Sequence, residues 1–104
     1  MADALFASER ARIAKLAISQ RLPTIFPLRE HVEAGGLLSY GIDALASYER
    51  AAYYVDRILK GTKADDLPIE FPTKLVLTIN LKTAKALNLT IPPTLIALAD
   101  EIIE

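Results

Sequence analysis

The sequence has 104 residues, of which 52% are hydrophobic and 24% charged, with a formal net charge of −1. This length fits one small domain at most, and an even scatter of basic and acidic residues argues against a nucleic-acid or anionic-membrane surface. Because the sequence contains no cysteine, it excludes disulfides, thiol chemistry and thiolate metal sites.

The N-terminus, Met1–Leu5, lacks a basic flank followed by a long apolar core. No later segment stays uncharged for the roughly 18 residues that a spanning helix needs. The sequence therefore predicts neither an export signal nor a membrane anchor in these residues. On that ground alone, the protein would be cytoplasmic if the chain is complete as given.

The first predicted element is an amphipathic helix, Ser8–Gln20, which Ser8 caps and which ends before Pro23. Thr24–Phe26 lies between two prolines and is too short for a helix, so it predicts a short strand. Leu28–Ala34 then has room for about two helical turns.

A glycine-rich turn follows this helix. Gly35 and Gly36 allow positive φ, so we expect the chain to reverse there, form a strand over Leu37–Ser39 and break again at Gly41. Ser39 and Tyr40 would then lie at a strand end. Ligands of open α/β sheets gather at the carboxyl ends of strands, which makes this corner the first candidate site.

The second half begins with the longest amphipathic stripe and then changes to a period of two, which indicates a strand. The first predicted element is helix Asp43–Lys60, which Asp43 or Ser47 caps and which ends at Gly61. The others are strand Leu75–Ile79, helix Leu81–Leu87 between a capping Asn80 and a left-handed Asn88, and helix Pro93–Ile102.

Helices and strands therefore alternate, which predicts an α/β fold with short parallel strands and flanking helices. Three or four short strands cannot cover five amphipathic helices. We expect either a fragment of a larger α/β protein or a chain completed by oligomerisation. In the second case, a dimer or larger assembly exchanges elements across Tyr40–Asp43.

Several ordered motifs span nearly the whole chain. They are Arg12–Ala17, Arg21–Phe26, Arg29–Gly41, Ala51–Gly61, Pro72–Lys74, Ile79–Leu87 and Thr90–Pro93. Together they resemble the C-terminal third of the substrate-binding proteins of ABC transporters, in the family that includes tryptophan- and other amino-acid-binding members. The resemblance implies part of a bilobed periplasmic-binding-protein fold with a solute in its cleft, an ABC permease as partner and a periplasmic location.

The same resemblance implies a division of the chain. Residues 1–41 would form a segment of the C-terminal lobe with a crossover, and residues 42–104 a segment of the N-terminal lobe. The crossover near Tyr40–Asp43 would act as a hinge, where a few residues at the ends of elements absorb the change in φ and ψ.

The candidate ligand-binding residues are Phe26, Arg29, Ser39, Tyr40 and Asp43. Tyr40 offers an aromatic face and a hydroxyl to a small solute, or it is a structural tyrosine that bonds the backbone at a turn. The fork of donors on Arg29 suits a solute carboxylate, or it forms a solvated pair with Glu33.

Catalytic and metal chemistry find little support in the sequence. His31 is the one histidine, and no cluster of ligand residues at metal-binding spacing accompanies it. Glu30 and Glu33 are closely spaced on a short helix, where carboxylates are usually solvated. With no phosphate loop or nucleophile motif, we expect neither an enzyme nor a cofactor nor a metal.

The function that the sequence favours is a non-catalytic solute-binding component, or a fragment of one, for ABC import of a small solute such as an amino acid. The alternative is a truncated structural or interaction protein that forms a homo-oligomer without binding solute. The sequence leaves the solute itself open.

Overall fold

The computed structural model describes residues 3–72 and 74–104. Its helices and strands, in chain order, are α1 Ala4–Ser8, α2 Arg10–Ser19, β1 Ile25–Phe26, α3 Arg29–Glu33, β2 Leu38–Ile42, α4 Ala44–Leu59, β3 Leu75–Asn80, α5 Leu81–Ala86, α6 Pro93–Leu98 and β4 Glu101–Ile103, with a 3₁₀ turn at Ala64–Asp66.

The four strands form one sheet in the order β1-β2-β3-β4. The outer pairs, β1 with β2 and β3 with β4, are parallel, whereas the central pair, β2 with β3, is antiparallel. The chain leaves the sheet after Ile42 and returns at Leu75, its register partner, so the returning strand must run in the opposite direction. The mixed, mostly parallel α/β fold with flanking helices confirms the predicted class.

Side-chain hydrogen bonds join α3 and its following turn to the start of α5. The Asn80 amide donates to the carbonyl of Val32 at 3.1 Å, and the Thr83 hydroxyl donates to the carbonyl of Gly35 at 2.9 Å. Asn80 also caps α5, since its side-chain oxygen accepts from the Thr83 N–H at 3.0 Å. The buried core lies around this junction and includes Val32 and Ile79.

Several local predictions are confirmed. Asp43 caps α4 by accepting from the Ala46 N–H at 3.1 Å. Of the glycine pair, Gly35 takes the positive φ, at 122°. Gly61 and Asn88, which follow α4 and α5, have φ of 106° and 58°, as expected for residues that end helices.

The predicted helix Pro93–Ile102 is wrong in its second half. The helix ends at Leu98, and Glu101–Ile103 forms strand β4 beside β3. Asp100 explains the change, because its N–H donates to the carbonyl of Leu77 at 2.9 Å and its carboxylate accepts from the Leu77 N–H at 2.8 Å. These hydrogen bonds draw the chain onto the sheet edge.

The predicted start of the first long helix is also wrong. Ser8 belongs to α1, which Asp3 caps by accepting from the Leu5 N–H at 2.8 Å, and α2 begins at Arg10. The Ser8 hydroxyl donates back to the carbonyl of Leu5 at 2.9 Å and so does not cap the helix that follows it.

The predicted break at Gly41 is wrong, because β2 continues through Gly41 to Ile42. Tyr40 pairs with Leu77 and Gly41 pairs with Val76, so Ser39 and Tyr40 lie within the strand and not at its end. Glycine is needed at position 41 because the backbone of Pro27 lies very close to it. A Cβ there would overlap the carbonyl oxygen of Pro27.

Helix α4 and the residues that follow it form an excursion from the sheet over residues 43–72. No described residue of α4 is buried, and the exposed fractions of Tyr48 and Leu59 reach 74% and 82%. Among the residues that the structure describes, no helix is both long enough and apolar enough to cross a membrane.

Candidate functional site

A row of side chains crosses the sheet beneath α3. Phe26, Ser39, Thr78 and Glu101 are successive register partners in β1, β2, β3 and β4. Register partners on adjacent strands point to the same face of a sheet. This face therefore carries two hydroxyls between an aromatic ring and a carboxylate.

Helix α3 is attached to both sides of this row. The imidazole of His31 stacks on the ring of Phe26, with centroids 4.6 Å apart and an interplanar angle of 2°. On the other side, the Nε and Nη2 of Arg29 donate to the two carboxylate oxygens of Glu101. The helix thus connects the two outer strands of the sheet.

The guanidinium of Arg29 is surrounded by carboxylates. Its Nη1 forms an ion pair with Glu33, so the alternative that the sequence offered for Arg29 is present. The hydrogen bonds from Arg29 hold the pKa of Glu101 below its ordinary value, and those to Glu101 raise the pKa of Arg29. Since Nε, Nη1 and Nη2 all face carboxylates, the charge of Arg29 is more than neutralised locally.

Three candidate residues meet at one small cavity. Arg29, Ser39 and Asp43 line a space of about 60 Å³ where β2 passes into α4. A space of this size can hold a few water molecules. It can therefore receive one small functional group of a solute.

The other two candidate residues lie outside this cavity. Phe26 shares the face of Ser39, but its ring stacks on His31. Tyr40 follows Ser39 in the strand and so points to the opposite face, where it is 56% exposed.

His31 is 2% exposed, and its Nδ1 has no hydrogen-bond partner in the described part of the chain. Burial lowers its pKa, Arg10 lowers the pKa further, and Glu30 opposes this change. No group of three or more metal-binding side chains occurs within residues 3–72 and 74–104. The small cavity itself presents the guanidinium of Arg29, the hydroxyl of Ser39 and the carboxylate of Asp43.

A second cavity, of about 360 Å³, lies between α4 and the returning chain. Across it, Arg50 forms a bidentate pair with Glu70 at 2.7 and 2.5 Å, and the Tyr54 hydroxyl donates to the carbonyl of Pro68 at 2.9 Å. The bonds from Arg50 lower the pKa of Glu70 to about 2. Sequence reasoning missed this pair because nothing in the local pattern joins residues twenty positions apart.

A family model described as "ABC transporter substrate binding protein" matches residues 1–103. The chain belongs to this family. Proteins of the family bind solutes for ABC transporters and are typically periplasmic. A search of curated proteins finds no match.

Several solved structures are similar to this chain over nearly its whole length. A conserved domain protein from Vibrio cholerae is 28% identical, with a TM-score of 0.87 over 96% of this chain and 34% of its own. An ABC domain in complex with L-Trp from Streptococcus pneumoniae is 29% identical, with a TM-score of 0.86 over 97% of this chain and 35% of its own.

A third structure is a ligand-free, open substrate-binding protein with adhesive properties from Clostridium difficile. It is 25% identical, with a TM-score of 0.63 over 98% of this chain and 34% of its own. The chain thus spans about a third of the length of the proteins that it matches. Its fold is a partial periplasmic-binding-protein-like fold, as the sequence predicted.

Proposed function

We propose that this chain supplies part of one solute cleft in the binding component of an ABC import system, without catalysing a reaction. The observation that carries the proposal is the meeting of Arg29, Ser39 and Asp43 at one cavity beside the passage from β2 to α4. Family membership supports solute binding, and the L-Trp complex of a structural neighbour supports an amino acid as the solute.

The proposed hinge lies where the excursion meets the sheet. Asp43 caps α4 immediately after β2, and Ile42 and Leu75 form the last register pair of the central strands. The resemblance implies that residues 1–41 belong to one lobe and that the chain crosses towards the other from residue 42. Because β3, α5 and β4 return to the sheet of β2, we propose that the part that projects towards the second lobe is residues 43–72.

The proposed partners are a small solute and an ABC permease, and the proposed location is the periplasm. Phe26 and Tyr40 stay candidate ligand residues in this arrangement. Phe26 lies at the β1 end of the row of side chains beneath α3, and Tyr40 lies on the opposite face of β2. Both positions lie outside the small cavity, so any contact that they make would be with a different part of the solute.

A homo-oligomer without solute binding is the second candidate function. The observation that favours it is the apolar stripe of α4, which is left exposed in the structure. Leu45, Tyr48, Val55 and Leu59 lie at successive spacings of three, seven and four residues, which place them on one face of the helix, and all are more than half exposed.

Calorimetric titration with a panel of amino acids that includes L-Trp tests solute binding. We expect at least one amino acid to bind, and Ser39→Val to weaken it at least tenfold, because the added carbon atoms occupy the small cavity. Valine suits a strand, so the fold should survive. Ser19→Val, at the exposed end of α2, is the matched control and should bind normally.

If no amino acid binds at millimolar concentration, solute binding by this chain is wrong. If binding occurs and both valine variants bind equally well, the cavity is not the site.

A further inference from the structure

We propose that the cavity lined by Arg29, Ser39 and Asp43 receives a cationic group such as an ammonium, and not a carboxylate. This proposal deepens the proposed function by naming the chemical group that enters this part of the cleft. It also reverses the role that the sequence suggested for Arg29.

The first argument is that Arg29 has little capacity left for an external anion. Glu101 takes the Nε and Nη2 edge of the guanidinium, and Glu33 faces Nη1. Two carboxylates against one guanidinium leave a net negative charge. A solute carboxylate would compete with these internal carboxylates for the guanidinium, whereas a cation meets no such competition.

The second argument is the charge of the remaining lining. Glu30 and Asp43 also line the cavity, and both raise the pKa of Arg29 through space. Helix α4 begins here, and its N-terminus acts as about half a positive charge. That partial charge offsets half of Asp43 at most, so the cavity stays negative overall.

A third observation is independent of the acidic residues. Ser39 is only 2% exposed and yet lines the cavity. Its hydroxyl forms no hydrogen bond with another described side chain or backbone group, so it is available as an acceptor. Asp43 accepts from the Ala46 N–H through Oδ1, at 3.1 Å, which leaves its second oxygen for a ligand.

These groups match the needs of an ammonium. An ammonium carries three donors and no acceptor, so it requires oxygens around it. The cavity supplies the Ser39 hydroxyl and the Asp43 carboxylate within a volume of about 60 Å³. A methylammonium ion is of the size that this volume admits.

The test uses two simple ions and this chain. Titrations with methylammonium chloride and with sodium acetate are followed by ¹H–¹⁵N NMR at constant ionic strength. We expect methylammonium to shift the amide signals of Ser39, Gly41 and Asp43 in a saturable way. Acetate should leave them within the shift that sodium chloride produces.

Asp43→Asn provides the decisive variant, because asparagine caps helices as well as aspartate does. The change removes the charge and replaces one acceptor oxygen with an NH2 donor. It should weaken methylammonium binding at least tenfold. Asp66→Asn, in the 3₁₀ turn, is the matched control and should leave binding unchanged.

Saturable shifts with acetate, shifts with neither ion, or equal effects of the two asparagine variants would each overturn the proposal. Failure of the proposed function is distinguishable, because it shows as an absence of amino-acid binding in the calorimetric titration. Methylammonium binding can succeed or fail independently of that result.

Discussion

The guanidinium of Arg29, at the start of α3, donates two parallel hydrogen bonds to the carboxylate of Glu101, which lies 72 residues later in β4. This pair closes α3 over the row of side chains that crosses the sheet. With the stack of His31 on Phe26, it fixes the helix at both outer strands. The wall of the small cavity is therefore built from opposite ends of the chain.

Glu101→Gln is expected to destabilise the protein by only about 0.5–1 kcal/mol, because both partners are partly exposed and solvent screens the pair. Urea unfolding at low and high salt measures the effect. The contribution should shrink in high salt. Glu104→Gln, three residues after Glu101 and outside β4, is the control. A decrease in the free energy of unfolding of more than about 3 kcal/mol would contradict the interpretation of this pair as screened by solvent.

The same pair should depend on pH. The pKa of Glu101 is lowered in the folded protein, so its contribution is complete above the unfolded value of about 4.5. It is lost as pH falls through the folded value. The difference in stability between the wild type and Glu101→Gln should therefore narrow below about pH 4.5.

His31 should make stability fall as the solution becomes mildly acidic. Its pKa is lowered in the folded protein, mainly by burial. Between the folded value and the unfolded value of about 6.5, the unfolded chain binds more protons, so stability rises with pH. The contribution of neutral His31 to the free energy of unfolding should be complete above pH 6.5. Below that pH it should decrease by at most about 1.4 kcal/mol per pH unit.

Unfolding of the wild type and of His31→Phe at pH 7.5, 6.5 and 5.5 measures this slope. Phenylalanine keeps a ring against Phe26 and removes the titration. The variant should lose most of the slope in this range, and identical slopes in the two proteins would rule out His31 as its source.

Gly41→Ala should destabilise the protein by about 1–3 kcal/mol, because the new methyl group overlaps the carbonyl oxygen of Pro27. Thermal unfolding measures the loss. Gly61→Ala is an instructive comparison: a Cβ there meets no atom within 4 Å, and only its φ of 106° opposes the change. Equal melting of wild type and Gly41→Ala would show that the close approach is not required.

The exposed stripe of α4 predicts self-association at micromolar concentration, since large apolar patches are rarely left to water. Sedimentation velocity should show a dimer or larger species, and the melting temperature should rise with protein concentration. Val55→Glu should shift the population to monomer, whereas Ala46→Glu, off the stripe, should not. A compact monomer whose melting is independent of concentration would refute this expectation.

Local chemistry let the sequence predict much of the fold. Asp43 and Asn80 cap helices through their own side chains, and Gly61 and Asn88 end helices because they accept positive φ. These effects act within a few residues of the chain. The alternation of helices and strands could be predicted for the same reason, because it follows from local hydrophobic periodicity.

The sequence could not predict the features that depend on distant partners. The segment Glu101–Ile103 has the apolar spacing of a helix end, but hydrogen bonds between Asp100 and Leu77 draw it onto the sheet. The local sequence predicts a turn at Gly41. In the structure, Gly41 pairs with Val76 and packs closely against the backbone of Pro27.

The candidate site divides in the same way. The sequence selected Arg29, Ser39 and Asp43 by residue type, and only the tertiary structure placed them at one cavity. The tertiary structure also pairs Arg29 with Glu101. Strand pairing places β4 beside β3, so Glu101 lies in the row of side chains beneath α3. Propensity and capping are decided locally, whereas the charge that a cavity presents depends on which distant groups the packing brings together.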